Sequence, residues 1–178
     1  MENTCCFIGH REINMTDELN EKLRVAIERL IVDENINIFL FGSKSQFDDL
    51  CYDIVTELKQ NHPHIQRVFV RAEYPYIDES YEAYLLESYE DTYFPKSVLG
   101  AGKASYVKRN CEMIDNSRFC IVYYKEDYTP KGRKSGTKIA FTYYTTERYI
   151  IPYFYYNILF ISFVVAKKHH KIVMLCFL

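Results

Sequence analysis

Two short segments of this chain carry residue types that suit a phosphorylated ligand. The run Arg109-Asn110-Cys111-Glu112-Met113 predicts a helix that offers an arginine, and Ser135-Gly136-Thr137 predicts the start of a later helix. Arginine forms charge-assisted hydrogen bonds to phosphate, and the free N–H groups of a helix N-terminus attract anions. Together the two segments predict an anion-binding pocket.

The loop in front of the second helix strengthens this prediction. It carries Lys131, Arg133 and Lys134 directly before Ser135-Gly136-Thr137. Basic side chains beside an open helix N-terminus make this loop the strongest predicted anion site in the chain. A solvated basic loop closed by a threonine cap is the structural alternative.

A second candidate loop, Gly9-His10-Arg11, follows the first apolar run of the sequence. A glycine permits close approach of the backbone to a ligand, and an arginine or histidine can contact a phosphate or a ribose. We therefore predict Gly9, His10 and Arg11 as ligand-binding residues.

A third candidate loop begins at Gly42-Ser43 and runs into Asp48. Gly42 and Ser43 are predicted to contact the ligand, and Asp48 to hold a ribose hydroxyl. A structural interpretation stays open for this loop, because Ser45 suits a helix N-cap and a carboxylate in a first turn is stabilised by the helix dipole.

The elements that position these loops follow from the spacing of apolar residues. Apolar runs predict five strands, at 4–8, 36–41, 65–70, 118–124 and 149–155. Helical spacing predicts helices after a Thr16 cap, after Ser45, over 106–114 and over 137–147. This alternation predicts an α/β domain with a three-layer parallel sheet of about five strands, in which ligands bind beyond the carboxyl ends of the strands.

An acidic, tyrosine-rich insertion is predicted at about 73–98. Between Glu73 and Asp91 lie seven acidic residues, five tyrosines and no basic residue. Tyr81, Leu85 and Tyr89 stand at helical spacing, which predicts an amphipathic helix with a tyrosine-packed inner face and a solvated acidic face. The alternative is a lid that presents aromatic rings to the base of a ligand.

The C-terminal segment, 156–178, is predicted to be an apolar extension of a domain that spans 1–155. The 18 residues from Tyr149 to Ala166 carry no charge, which reaches the lower limit for a membrane span. Pro152, Asn157 and several tyrosines dilute this stretch, so an extra strand or helix packed on the domain is the favoured interpretation. A tail that contacts a membrane or a partner is the alternative.

Composition narrows the class of protein. A chain of 178 residues fits one domain, and a net charge of −2 does not favour a protein that coats nucleic acid. The six cysteines include no CxxC pair and no zinc-type spacing, so no metal site is indicated. We also predict no cofactor. The first residues, Met1-Glu2-Asn3-Thr4, show no secretory signal, which predicts a cytoplasmic location.

Three segments of the chain, Cys5 to Arg11, Arg109 to Ile114 and Ser135 to Thr137, resemble the SLOG superfamily. This Rossmann-like nucleotide-binding group includes the YpsA-like proteins, DprA and the LOG phosphoribohydrolases. The resemblance covers about residues 4–155 and implies a Rossmann-like fold with a nucleotide-derived ligand. We also expect a homo-oligomer.

The comparison with LOG enzymes bears on catalysis. In those enzymes an Arg-Lys-x-x-Met helix supplies an arginine, and a Pro-Gly-Gly-x-Gly-Thr-x-x-Glu run supplies a glutamate. Arg109 and Met113 match the first pattern, Gly136 and Thr137 match the second, and the glutamate position holds Ala140. We expect the Ala140 side chain to face the pocket, where it offers no acid or base.

The resemblance therefore implies binding without hydrolysis. The expected function is sensing or sequestration of a nucleotide or a nucleotide-derived signal, such as an ADP-ribose-like molecule. The alternative is a LOG-like phosphoribohydrolase acting on nucleoside monophosphates, in which Glu112 or Asp115 replaces the missing glutamate.

Overall fold

The computed structural model describes residues 2–73, 75–124, 136–146, 149–153, 161–167 and 170–176. Within these ranges the strands are β1 Thr4–Gly9, β2 Ile38–Phe41, β3 Gln66–Val70, β4 Asp91–Tyr93, β5 Phe119–Tyr123, β6 Tyr149–Tyr153, β7 Ile161–Lys167 and β8 His170–Cys176. The α-helices are α1 Asp17–Val32, α2 Gln46–Lys59, α3 Glu79–Ser88, α4 Ser105–Asp115 and α5 Gly136–Thr146.

The strands form one sheet in the order β4-β3-β2-β1-β5-β8-β7-β6. The five strands from β4 to β5 are all parallel to one another. Helices flank this parallel sheet, so the predicted three-layer, Rossmann-like α/β fold is confirmed.

Two details of the sheet differ from the sequence prediction. The short strand β4 was not predicted, because three residues are too few to show an alternating pattern. The strand predicted at 149–155 is present as β6, but it pairs antiparallel with β7 at the far end of the sheet. The strand beside β5 is instead β8, which runs parallel to β5.

Both predicted helix caps are present. The Thr16 side chain accepts a hydrogen bond from the Leu19 N–H at 3.1 Å, and the Ser45 hydroxyl accepts one from the Asp48 N–H, also at 3.1 Å. These caps satisfy donors that the first turn of a helix leaves without a partner. They fix where α1 and α2 begin, and therefore where the loops after β1 and β2 end.

The two faces of the sheet carry different side chains. Since successive strand residues point to opposite faces, Phe7 and Phe41 lie on one face, while Ile8 and Leu40 lie on the other. The phenylalanine face packs against α1 and α2, and the aliphatic face packs against residues of α4 and α5, including Met113.

This distribution of helices creates a switch point between β1 and β5. The chain leaves β1 toward the face covered by α1 and leaves β5 toward the face covered by α5. In open α/β sheets the crevice at such a point is where ligands bind. The loop containing Gly9-His10-Arg11 lies at this crevice.

The insertion forms α3 followed by β4. Leu85 is buried, and Tyr81 and Tyr89 pack against the phenylalanine-rich core, whereas Tyr84 is exposed. The packed inner face is therefore confirmed. Past residue 156, the described parts of the C-terminal segment form β7 and β8. In the described part of the chain, no helix has the length and apolar character that a membrane span requires.

Candidate functional site

The predicted ligand loops share one edge of the sheet. Strands β1, β2 and β5 are parallel and adjacent, so the segments after Gly9, Phe41 and Tyr123 emerge at the same edge. Neighbouring strands lie about 4.8 Å apart, which places these loops within the span of a small ligand. The architectural prediction on which the pocket depends is confirmed.

Arg109 reaches this edge from the second turn of α4. Its guanidinium lies over the end of β2, where a Cβ atom on Gly42 would stand 2.8 Å from the Arg109 side chain. One terminal N–H group points to the Val70 carbonyl at the end of β3, at 3.3 Å, and Nε donates to the Asn110 side chain at 3.0 Å. Glycine at position 42 therefore makes room for the guanidinium of Arg109.

The Arg109 guanidinium is a buried charge. The side chain is 2% exposed, and it forms no ion pair with a carboxylate among the described residues. Burial lowers the pKa of Arg109 below its usual range, and Asp48 and Glu73 act from a longer distance in the opposite direction. A buried cation without a directly bonded anion is costly, because desolvation is not offset by a close counter-charge.

Asp48 closes the loop after β2. It is 3% exposed, and its Oδ2 accepts hydrogen bonds from the N–H groups of Gly42 at 3.1 Å and Ser43 at 2.7 Å. Burial raises the pKa of Asp48 to about 6, and the two amide bonds and the nearby Arg109 limit that rise. The observed role of Asp48 is to shape the loop, and a contact with ribose stays a prediction.

Ser43 is half-buried at the turn of the same loop. Its hydroxyl donates to the Ser45 hydroxyl at 2.9 Å, so the two serines brace each other before α2 begins. Gly42, Ser43, Asp48 and Arg109 therefore form one connected cluster at the ends of β2 and β3.

A second cluster joins β1 to the N-terminus of α5. The Thr137 hydroxyl donates to the Gly9 carbonyl at 2.8 Å, which ties the first turn of α5 to the end of β1. Gly136, the first residue of α5, is exposed, and apart from its chain neighbours and the backbone of α5 no described atom lies within 4 Å of the position where its Cβ would stand. The N-terminus of α5 therefore opens onto the same edge as Arg109.

Gly9 has a packing requirement of its own. A Cβ atom at this position would stand 2.6 Å from the Phe47 Cβ and even closer to the Phe47 ring, which is fully buried. His10 is 5% exposed and stacks on Tyr124 with ring centroids 5.4 Å apart, whereas Arg11 is exposed. Of this loop, Arg11 is the residue best placed to meet a ligand from solvent.

The remaining predicted residues fall into two groups. Arg133, Lys134 and Ser135 lie outside the described residues, so their contribution to the site stays a prediction. The expectation that Ala140 faces the pocket was wrong. Ala140 is 0% exposed and packs in the aliphatic core with Met113 and other apolar residues.

Neither carboxylate proposed as a replacement catalytic group joins the cluster around Arg109. Glu112 accepts hydrogen bonds from Ser97 at 2.8 Å and from Asn116 at 3.1 Å. Asp115 lies six residues beyond Arg109, about 9 Å along the helix axis, and accepts from Tyr143 at 2.8 Å. In the described part of the chain these groups stabilise the far half of α4.

The sequence prediction missed two site residues, Glu73 and Tyr106. The Tyr106 hydroxyl donates to the Glu73 carboxylate at 2.7 Å, and the Arg109 guanidinium carbon lies 5.7 Å from the centre of the Tyr106 ring. A signal for Tyr106 was present, because residues three apart on a helix share a face. Glu73 follows β3 closely, so it belongs to the same row of loops.

A comparison with models of known protein families gives no match to this chain, and a search of curated proteins finds no similar sequence. The fold and the edge of the sheet therefore carry the functional argument. Membership of the SLOG superfamily stays a prediction from the three segments that resemble it.

Proposed function

We propose that this protein binds a phosphate-bearing ligand of the nucleotide class at the carboxyl edge of its sheet, and that it senses or sequesters the ligand. The observation that carries the proposal is the buried Arg109 guanidinium, which has no ion pair among the described residues. An anionic ligand at this edge supplies the direct ion pair that Asp48 and Glu73, which act on Arg109 from a longer distance, do not form.

Three positive features converge on that edge. Arg109 supplies a charge beneath its surface, where solvent screens it little. Arg11 is exposed after β1, and α5 begins at Gly136, which is exposed among the described residues. Backbone N–H groups at a helix start hold phosphate oxygens well, and the hydrogen bond from Thr137 to Gly9 keeps that helix start in place.

The proposal favours binding over hydrolysis because the described residues place no acid or base at the predicted catalytic positions. Ala140 lies in the core, Glu112 accepts a hydrogen bond from Ser97, and Asp115 accepts one from Tyr143 of α5. N-glycosidic hydrolysis needs a carboxylate beside the anomeric carbon, because that group assists departure of the base and stabilises the developing positive charge. A nucleotide-derived signal such as ADP-ribose suits a site that holds its ligand unchanged.

The test is calorimetric titration of the protein with ADP-ribose, AMP and inorganic phosphate. Arg109→Met is expected to weaken binding by about 1.5 to 3 kcal/mol, the range for a charge-assisted hydrogen bond. Arg109→Lys keeps the charge and loses the planar fork, so its expected loss is smaller. Arg24→Met is the matched control, because Arg24 pairs with Glu57 on the surface of α1 and α2.

Folding of each variant is checked by circular dichroism, since removal of the guanidinium removes a hydrogen bond to the Val70 carbonyl. Wild-type affinity in a folded Arg109→Met variant would refute the role of Arg109. Absence of binding of all three probes to the wild-type chain would overturn the proposal itself.

A further inference from the structure

A cleft of about 360 Å³ is lined by Tyr106, the residue whose ring lies against Arg109, and was not predicted from the sequence. One wall is the segment after β3, which includes Glu73 and Pro75, and the other runs from Phe94 after β4 to Tyr106 in α4. The cleft falls within the size range of small-molecule sites, about 300 to 1,000 Å³. It opens at the same edge of the sheet as the proposed phosphate site.

The cleft is mainly apolar. Pro75, Phe94, Val98 and Leu99 line it, and Leu99 is 64% exposed at its rim. Exposure of a large aliphatic side chain to water is unfavourable, and contact with the apolar surface of a ligand would remove that cost. An aromatic ring is a suitable occupant, because Phe94 and Tyr106 offer faces and edges against which a flat ring can pack.

The Glu73 carboxylate is the charged group in the lining of the cleft, and it determines which polar groups of a ligand can bind there. Its Oε1 accepts a hydrogen bond from the Tyr106 hydroxyl at 2.7 Å, and this hydrogen bond raises the pKa of Tyr106 above its usual value. The tyrosine therefore stays protonated and keeps the carboxylate in position. An ionised carboxylate only accepts hydrogen bonds, so it favours an N–H donor and repels a phosphate.

Glu73 and Arg109 both lie against Tyr106, at different parts of its side chain. The ring has the carboxylate at its hydroxyl end, and the guanidinium carbon lies 5.7 Å from its centre. Opposite charges arranged in this way suit a ligand with two chemically different ends. One end is anionic and goes to the Arg109 side, and the other is flat, apolar and carries N–H groups.

We propose that this cleft binds the base of the ligand, and that the base is a purine with an exocyclic amino group. The ring packs between the apolar walls, and the amino group donates to Glu73. The base and the phosphate bind at different parts of Tyr106, and the sugar of the nucleotide spans the distance between them. This assignment rests on the proposed function, because the nucleotide character of the ligand comes from the phosphate site.

The experiment compares three ligands by calorimetry: AMP, purine riboside 5′-monophosphate, which lacks the amino group, and ribose 5-phosphate, which lacks the base. The wild-type chain is expected to bind AMP at least about tenfold more tightly than ribose 5-phosphate, because stacking of a base is favourable. AMP is also expected to bind several-fold more tightly than purine riboside 5′-monophosphate.

Two variants test the cleft directly. Glu73→Met removes the acceptor and is expected to abolish the preference for AMP over purine riboside 5′-monophosphate, without weakening ribose 5-phosphate. Ala101→Leu, in the lining of the cleft, is expected to reduce the preference for AMP over ribose 5-phosphate at least fivefold. Glu87→Met is the matched control, since Glu87 is exposed on α3 and does not line the cleft.

The outcomes separate the two proposals. The cleft is not the base site if ribose 5-phosphate and AMP bind the wild-type chain with equal affinity. The same conclusion follows if both cleft variants keep the wild-type preferences. In either case the proposed phosphate site is unaffected. If AMP, ribose 5-phosphate, ADP-ribose and inorganic phosphate all fail to bind the wild-type chain, the proposed function fails and this assignment fails with it.

Discussion

Asp48 should make the stability of this protein fall as the pH rises through the mildly acidic range. The carboxyl group is 3% exposed, and burial raises its pKa from a usual 3.8 to about 6. Between these two values the unfolded chain has already lost the proton while the folded chain retains it. Because the folded state then binds more protons, the free energy of unfolding decreases with rising pH.

The size of this effect follows from the two pKa values. They differ by about two pH units, and each unit corresponds to about 1.4 kcal/mol, so ionisation of Asp48 costs the folded state about 3 kcal/mol at pH 7. Asp48→Asn removes the titrating group and keeps an acceptor oxygen for the N–H groups of Gly42 and Ser43. The free energy of unfolding of the variant, relative to that of the wild type, should therefore rise by about 2 kcal/mol between pH 4 and pH 7, because Asp48 of the unfolded chain is already partly ionised at pH 4.

The assay is urea denaturation of both proteins at pH 4, 5, 6 and 7. Subtracting one protein from the other cancels the other titrating groups, several of which change stability in the opposite direction. Arg109 acts to lower the pKa of Asp48, so the Arg109→Met variant should have a higher Asp48 pKa than the wild type. In this variant the decrease of unfolding free energy with rising pH should therefore continue to a higher pH. A difference between Asp48→Asn and the wild type that does not change with pH would refute the buried, raised-pKa carboxyl group.

Three further substitutions test the packing around the site and the sheet. Gly9→Ala should destabilise the fold by about 1 to 3 kcal/mol in thermal denaturation, because its Cβ would overlap the buried Phe47; wild-type stability would contradict this contact. Ala140→Glu places a carboxylate in an apolar core, so it should unfold the chain or lower the free energy of unfolding by more than about 3 kcal/mol. For the same reason it should bring no hydrolysis of AMP. A stable variant that releases base from AMP would overturn that expectation. Arg67→Lys should cost about 1 kcal/mol in urea denaturation, because lysine cannot reproduce the two hydrogen bonds that Arg67 gives to Glu90 at 2.6 and 3.1 Å; a loss below the error of the measurement would contradict it.

Much of the fold could be predicted from local patterns. The apolar runs located β1, β2, β3 and β5, and the Thr16 and Ser45 caps located the starts of α1 and α2. These signals are short in range, since an alternating strand pattern or a helix cap involves only a few neighbouring residues. The alternation of strands and helices was also enough to place the predicted ligand loops on one edge.

Parts of the candidate site could not be predicted for the opposite reason. Arg109 was identified by its residue type, but its burial against Gly42 depends on where α4 packs. Glu73 and the cleft beside it depend on the path of the insertion between β3 and α4. Contacts between residues far apart in the chain leave no periodic trace in the sequence.

The sequence by itself determined the types and positions of the main elements, because hydrophobic spacing and capping residues act within one or two turns of chain. Tertiary structure alone decided that Ala140 faces the core and that β8 occupies the place beside β5. Alanine is small and neutral enough for a core or a pocket, so its residue type does not select a helix face. The neighbour of a strand is chosen by backbone hydrogen bonds, which every residue except proline offers alike, and that choice is made only when the whole sheet assembles.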